Sequence, residues 1–246
     1  MRAAVISGSL EALGGFKVPH WNSVQTAYSP MPVRVDTVQL EDKTEFLHLN
    51  RHGSTPRRAP GAINSRAQID ALRRLGVERI LALSSVGGIA DGLSVGAVVL
   101  PDQLIDYSTR RTDSFHPVAC RLVDHLDLTE PFSTQVRTQV IESAARTGVA
   151  IRGSGTYGCT EGPRLETAAE VRRLRQDGCD LVGMTLLPEA ALAAEAGIPY
   201  CAISVVVNAA AGLGDGIPAP DKIAEAFQSA AGQLAPLLAD WVRSGG

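Results

Sequence analysis

The segment "LNRHGSTPRRAPG" places Arg51 and His52 directly after a strand-like run. A guanidinium group presents a planar fork of N–H donors that matches phosphate oxygens, and a neighbouring imidazole can add a further donor. Gly53 allows a ligand to approach the backbone closely. These residues predict an anion site. The alternative is that Arg51 pairs with a surface carboxylate and His52 caps a turn.

Two other turns combine hydroxyl groups with glycines after strand-like runs. In "LALSSVGGIADG", Ser84 and Ser85 leave a buried strand and lead into two glycines, so hydroxyls and amides can meet a ligand without steric cost. In "ISGSLEALGG", Gly8 and Ser9 can bring an amide and a hydroxyl to an oxyanion. This second segment is neither a GxGxxG motif nor a Walker loop, so a plain turn is its alternative.

Two further segments place possible ligand contacts beside small or apolar residues. Met184 and Thr185 set a soft apolar surface beside a hydroxyl, which suits a sugar phosphate, although core packing is the alternative for Met184. The run "SVVVNAAAGLGDG" resembles a buried parallel strand that stops at Asn208, and only small residues such as Ala210 follow. An amide there can both donate and accept hydrogen bonds, or it can simply end the strand with a turn.

The elements that position these residues follow an alternating pattern. Strand-like runs occur at residues 3–6, 45–48, 79–83, 97–100, 180–182 and 200–207. Helices are predicted from Ser65 to Gly76, from Thr167 to Gly178, between Pro188 and Gly197, and over residues 220–243. The pattern predicts an α/β fold with a single domain over residues 1–246, in which helices flank a central mixed, mostly parallel sheet. Ligands in such sheets bind outside the carboxyl ends of the strands.

Composition narrows the class of protein. A chain of 246 residues with 45% hydrophobic residues is sufficient for one large domain. The net charge of −3 and the absence of a Lys/Arg block argue against nucleic acid and favour a small ligand. The apolar runs are shorter than the roughly 20 residues of a membrane span, and no signal peptide precedes the first strand, so a cytoplasmic protein is expected. The four cysteines have no zinc-binding spacing.

Several motifs, taken in order, resemble a known family. The segments "NRHG", "PDQLIDYS", "EGPR" and "GMTLLPEAALAAEAGIPY" are similar to those of the trimeric purine nucleoside phosphorylases, and within them to the methylthioadenosine phosphorylase branch. The similarity extends from the first strand to the C-terminal helix. It implies a nucleoside phosphorylase-like fold and a pentosyltransferase, in which phosphate attacks the anomeric carbon of a purine nucleoside and releases the base. It also implies inorganic phosphate as co-substrate with no metal or organic cofactor, a homotrimer, and a role in purine salvage.

The resemblance also implies roles for individual residues. The implied phosphate site consists of Ser9, Arg51, His52, Ser84 and Thr185. The implied nucleoside contacts are Ser85, Leu165, Met184, Asn208, Ala210 and His125. His125 matches a histidine that reaches the 5′ side of the sugar in an adjacent subunit, and His52 and Asn208 are the implied catalytic residues.

Base recognition is expected to depend on Asn208. The methylthioadenosine phosphorylases have aspartates at the positions of Asn208 and Ala210, a pair suited to adenine. An asparagine amide can donate to O6 or N7 and accept from N1–H, but it lacks an acid proton. The sequence therefore predicts a 6-oxopurine substrate. Asparagine here also resembles the methylthioinosine phosphorylases, so conversion of 5′-methylthioinosine and phosphate to hypoxanthine and 5-methylthioribose 1-phosphate is the first expectation.

Three alternatives remain open at this point. A general 6-oxopurine nucleoside phosphorylase acting on inosine or guanosine is close, because the 5′ preference depends on loops that the sequence does not place. A purine-binding paralogue with little turnover is suggested by the altered first loop, residues 7–10. A hydrolase that uses water is the third, and Arg51, His52 and Thr185 argue against it.

Overall fold

The computed structural model describes residues 1–8, 16–53, 57–116, 125–214 and 220–245. Its strands are β1 (Ala3–Ser7), β2 (Lys17–Thr26), β3 (Ser29–Gln39), β4 (Glu45–Asn50), β5 (Arg79–Gly88), β6 (Val98–Val99), β7 (Gln103–Asp106), β8 (Thr156–Cys159), β9 (Leu181–Gly183) and β10 (Tyr200–Ala209). Its α-helices are α1 (Ser65–Arg74), α2 (Thr134–Thr147), α3 (Ala168–Gln176), α4 (Leu186–Glu195) and α5 (Pro220–Arg243).

The strands form one mixed sheet in the order β2-β3-β4-β1-β5-β9-β8-β7, and β10 lies between β5 and the short β6. Five of the nine strand pairings in the described segments are parallel. The neighbours β4, β1, β5 and β10 all run in the same direction, so their carboxyl ends meet at one edge. The α/β class with a mixed, mostly parallel central sheet is confirmed.

The helices cover both faces of the sheet. Along β1, Ala4 and Ile6 belong to the apolar cluster that α1 and α4 cover, and Ala3 and Val5 belong to the one under α2 and α5. This alternation follows from the two-residue period of a strand. Because both faces are buried, the inner strands are largely apolar on both faces, and this made them recognisable in the sequence. No helix within the described part of the chain has the length and apolar character needed to cross a membrane.

Some local expectations hold and others do not. The capping box of α3 is present, with the Thr167 side chain accepting from the Glu170 amide and the Glu170 carboxylate accepting from that of Thr167. Ser65 and Gln68 have the spacing of a capping box but do not form one. The side chain of Asn64 caps α1 instead. The Gln68 amide is used elsewhere and donates to the carbonyl of the residue after β4 at 2.7 Å.

Candidate active site

The sheet contains an opening along β5. Strand β1 pairs with residues 79–82 of β5, and β9 pairs only with Gly87 and Gly88 on that side. Residues 83–86 therefore have no strand neighbour there, while β10 continues along the other side. The described residues that directly follow β1, β4, β9 and β10 lie around this opening. It is the point in an open α/β sheet at which diverging strands leave room for a ligand.

The two serines of β5 point to opposite sides. Ser84 is buried, and its hydroxyl lies 2.9 Å from the hydroxyl of Ser204 on β10, which is also buried. Ser85 is exposed although its neighbours on both sides are buried. The hydroxyl of Ser84 is therefore already paired with Ser204, whereas Ser85 is exposed, and the phosphate-binding role of Ser84 stays a prediction.

Arg51 lies inside the protein, where it forms a bidentate ion pair. Its Nε and Nη2 atoms donate to the carboxylate of Glu189, and its Nη1 donates to the carbonyl oxygen of Leu83 at 2.7 Å. Tyr200 also donates to Glu189, at 2.9 Å. Burial alone would lower the pKa of Arg51, but the attraction of Glu189 outweighs it and raises that pKa. Arg51 is thus paired with a carboxylate, but this carboxylate is buried, whereas the alternative from the sequence placed it at the surface.

Two consequences follow for Arg51. Its charge is cancelled by Glu189, so the pair contributes no net charge to the opening. Three of its five N–H groups are used, which leaves two for a ligand. Its bond to Leu83 supplies a hydrogen-bond partner to a β5 carbonyl at the point where the neighbouring strand has ended.

His52 lies beside Gly8, the first residue after β1. Its Nδ1 is 2.8 Å from the carbonyl oxygen of Arg58, which can only accept, so Nδ1 carries the proton. Burial lowers the pKa of His52, followed by the nearby Arg51 and Arg57 charges, while the bond to Arg58 opposes the shift. The neutral ring then offers Nε2 as an acceptor. The sequence predicted that His52 offers a hydrogen-bond donor to the ligand, but in the structure the ring nitrogen that remains free is an acceptor.

Glycines allow the turn after β9 to pack closely. A side-chain carbon at Gly183 would lie 2.1 Å from the Tyr157 hydroxyl, which accepts from the Thr185 amide at 3.2 Å. Gly162 has φ of +66°, and a side-chain carbon there would lie 2.5 Å from the sulfur of Met184. Met184 and Thr185 are both half-buried at the edge of the opening. Gly183 of "GMT" therefore leaves space for the Tyr157 hydroxyl, and Gly162 of "EGPR" leaves space for the Met184 sulfur.

Arg111 is a site residue that the sequence analysis missed. Its side chain is only 6% exposed. Nη1 donates to the carbonyl oxygens of Met184 and Leu187, and Nη2 to those of Thr160 and Glu161, at 3.0 Å or less. It thus joins the β8–α3 loop to the β9–α4 turn. No local pattern marks such a residue, because its partners are backbone atoms far away in the sequence.

Asn208 lies where β10 loses its regular register against β5. The pairing shifts between Val206 and Asn208, and such a bulge redirects the side chain that follows it. The Nδ2 atom donates to the carbonyl of Ala209 at 2.7 Å, which fixes the orientation of the amide. One N–H and the Oδ1 atom have no hydrogen-bond partner within the described segments. Ala210 is buried and packs against Gly87.

The remaining candidates are less closely assembled. Leu165 is 40% exposed, on the same loop as Gly162. His125 is exposed and forms no hydrogen bond with the other candidates in the part of the chain that the structure describes. Ser9 lies outside the described residues. Within the described segments, no group of three or more His, Cys, Asp or Glu side chains is arranged to hold a metal ion.

Comparison with known proteins places this arrangement in a family. Residues 5–243 match the family model described as the phosphorylase superfamily. A probable S-methyl-5'-thioinosine phosphorylase of Xanthomonas campestris is 44% identical over 219 residues, covering 86% of this chain and 85% of the relative. The 6-oxopurine nucleoside phosphorylase of Pyrococcus furiosus is 37% identical, covering 96% of this chain and 90% of the relative.

A solved structure agrees with these relatives. The methylthioadenosine phosphorylase of Schistosoma mansoni in complex with adenine superimposes with a TM-score of 0.90 at 25% identity, covering 100% of this chain and 92% of that one. The resemblance that the motifs indicated therefore extends to the whole fold. The chain belongs to the phosphorylase superfamily.

Proposed function

We propose that this chain catalyses phosphorolysis of a 6-oxopurine nucleoside, with 5′-methylthioinosine as the preferred substrate. The products are hypoxanthine and 5-methylthioribose 1-phosphate, which makes the enzyme a pentosyltransferase of the purine nucleoside phosphorylase type. The names of the relatives support the reaction class. The observation that carries the substrate choice is Asn208, an amide of fixed orientation at the bulged end of β10.

The base edge fits this amide. A 6-oxopurine presents O6 as an acceptor and N1–H as a donor, and Asn208 has one free N–H and a free carbonyl oxygen. Its hydrogen bond to Ala209 resists the amide flip that would exchange the two. As the glycosidic bond breaks, negative charge develops on the departing purine, and a donor at O6 or N7 stabilises it.

The phosphate side uses different groups. Phosphate attacks the anomeric carbon as the bond to the purine breaks, and its charge stabilises the oxocarbenium-like sugar in the transition state. Ser85, Thr185 and the two free N–H groups of Arg51 are the proposed donors. The Nε2 atom of His52 accepts a hydrogen bond from the O–H group of hydrogen phosphate. This bond turns the unprotonated oxygens toward the sugar. Met184 lies beneath the ribose, and Leu165 lies near the base.

The remaining parts of the proposal concern what the enzyme works with. Inorganic phosphate is the co-substrate, and no metal or organic cofactor takes part. We propose a homotrimer in which the exposed His125 serves the 5′ side of a neighbouring subunit's nucleoside; the mass measured by light scattering tests the stoichiometry. A place in the cytoplasm and in purine salvage stays a prediction.

A general 6-oxopurine nucleoside phosphorylase is the second candidate function. The relative of that name in Pyrococcus furiosus favours it, and the two candidates differ only in whether the 5′ group is methylthio or hydroxyl.

The test is release of free base by the purified protein from methylthioinosine, inosine, guanosine and methylthioadenosine, each with and without phosphate. The proposal predicts phosphate-dependent release that is fastest from methylthioinosine. Equal or faster cleavage of inosine would establish the second candidate. Release without phosphate would indicate a hydrolase, and no release from any nucleoside would favour a binding paralogue.

A further inference from the structure

The charges around the opening do not balance those of the co-substrate. Phosphate near neutral pH carries between one and two negative charges, and a buried anion needs a compensating cation. Glu189 cancels the charge of Arg51. His52 is a neutral ring whose proton is committed to a carbonyl oxygen. The residues that resemblance implies for phosphate binding thus supply hydrogen bonds but no net positive charge.

Arg57 lies at the place where that charge is missing. Its Nη2 atom donates to the carbonyl oxygen of Gly8, the first residue after β1, at 2.8 Å. A side-chain carbon at Gly8 would lie 3.6 Å from this nitrogen and 3.7 Å from Cδ2 of His52, so Arg57 and His52 flank the same point. Arg57 has no carboxylate partner within the described segments, which leaves its charge uncompensated there.

The position of Arg57 is held by its neighbours. The amide of Arg58 donates to the carbonyl of His52 at 2.9 Å, and the His52 ring donates to the carbonyl of Arg58 at 2.8 Å. These reciprocal bonds hold Arg58 against His52. Arg57 is thereby kept beside the histidine although it lies five positions further along the chain.

We propose that Arg57 provides the uncompensated positive charge that holds the phosphate co-substrate, at the carboxyl end of β1 between Gly8 and His52. This inference rests on the proposed function. The one N–H bound to Gly8 anchors the guanidinium, and the other N–H groups are available for phosphate oxygens. With Arg57 in this position, the site combines a charged donor with a hydrogen-bond acceptor, His52 Nε2. It therefore favours hydrogen phosphate, which has an O–H group to donate, over an anion without one.

The test compares Arg57→Gln with Arg172→Gln, a matched change at an exposed arginine of α3 whose side chain forms no hydrogen bond or ion pair within the described segments. For Arg57→Gln we expect the KM for phosphate to rise about tenfold or more, with the KM for the nucleoside changed less than about twofold. Arg57→Lys keeps the charge and should recover part of the loss. Arg172→Gln should leave both constants near those of the parent protein.

A second measurement does not depend on turnover. Inorganic phosphate should raise the melting temperature of the parent protein and of Arg172→Gln, relative to sodium chloride at equal ionic strength, and should raise that of Arg57→Gln much less. If no nucleoside is cleaved but this difference is found, the proposed function fails and the role of Arg57 stands. Equal phosphate effects in all three proteins, or no phosphate effect in the parent, would overturn the inference.

Discussion

Protein partners hold two of the polar side chains at the opening, and this limits which single residues can discriminate one base from another. Arg51 is tied to Glu189, and His52 is fixed through Arg58. Asn208 keeps one donor and one acceptor free, in an orientation that Ala209 fixes. We therefore expect base selectivity to depend on Asn208 more than on any other described side chain at the opening.

The first prediction concerns base choice. Asn208→Asp replaces the free N–H by a carboxylate that accepts from the 6-amino group of adenine and repels O6 of hypoxanthine. The ratio of kcat/KM for methylthioinosine to that for methylthioadenosine should fall about tenfold or more. The switch should be incomplete, because Ala210 is buried against Gly87 and provides no second carboxylate. Asn22→Asp, on β2, is the control; an unchanged ratio in Asn208→Asp would contradict this account of recognition.

The second prediction concerns pH. His48 is buried with its Nε2 atom 2.8 Å from the Ser7 hydroxyl, and burial lowers its pKa below 6.5, although nearby Asp36 opposes the shift. As pH falls below about 6.5, this histidine is therefore protonated in the unfolded chain before it is protonated in the folded protein. Stability that is complete above that pH should be lost progressively below it.

Melting temperatures between pH 8 and pH 5.5 measure this effect. His48→Gln should flatten the decline, whatever its effect on stability at pH 8, and His52, whose pKa is also lowered, accounts for a remaining slope. His20→Gln, at an exposed position on β2, is the control. A decline of the same steepness in His48→Gln and in the parent would refute the assignment.

At the scale of elements, the β8–α3 loop and the β9–α4 turn must stay together for Met184 to support a ribose. Arg111 connects them through four carbonyl oxygens, and Gly162 provides the space for Met184. Leu187 has extended rather than helical dihedral angles inside α4, which leaves its carbonyl free for Arg111. The position of Met184 therefore depends on two segments that Arg111 holds together.

The third prediction tests that connection. Arg111→Lys keeps the charge but cannot reach four carbonyl oxygens from one nitrogen, so the KM for the nucleoside should rise about tenfold while the KM for phosphate changes less. Arg79→Lys is the matched control, since Arg79 also donates to backbone carbonyls, those of Trp241 and Val242. It should lower the melting temperature without changing either KM. Similar kinetic changes in both variants would mean that Arg111 is only structural.

The fourth prediction separates space from backbone strain. Gly162→Ala and Gly148→Ala both place a side chain at positive φ, +66° and +72°, at a cost of about 1 kcal/mol each. Only at Gly162 does the new carbon meet Met184, since Gly148 has nothing within 4 Å. Both variants should lose similar stability, but Gly162→Ala alone should raise the KM for the nucleoside, by about tenfold. Equal kinetics in the two variants would contradict the proposed role of Met184.

At the scale of the whole molecule, the sequence predicted what depends on local pattern. The apolar runs of β1, β5 and β10, the caps of α3 and the length of α5 were all recognisable from residue type and spacing. The hairpin β2–β3 was not predicted, because β2 is mostly exposed and lacks the apolar pattern of a buried strand. The motifs and their order also indicated the family and the edge of the sheet where the loops meet.

Pairwise contacts across the fold were not predictable in this way. Glu189 lies 138 positions from Arg51, and nothing near either residue marks them as partners. The pairing of Ser84 with Ser204 and the exposure of Ser85 depend on which face each strand residue occupies, and a largely apolar run does not reveal it. The charge balance that points to Arg57 follows only when these contacts are known.

The central claim is that this enzyme selects 6-oxopurine nucleosides and transfers their pentose to phosphate. The most direct test is a competition in one vessel, with equal concentrations of methylthioinosine and methylthioadenosine, phosphate and the purified protein. Initial rates of hypoxanthine and adenine release are then measured together by chromatography. We predict that hypoxanthine forms at least about tenfold faster and that neither base forms without phosphate. Faster release of adenine would contradict the account.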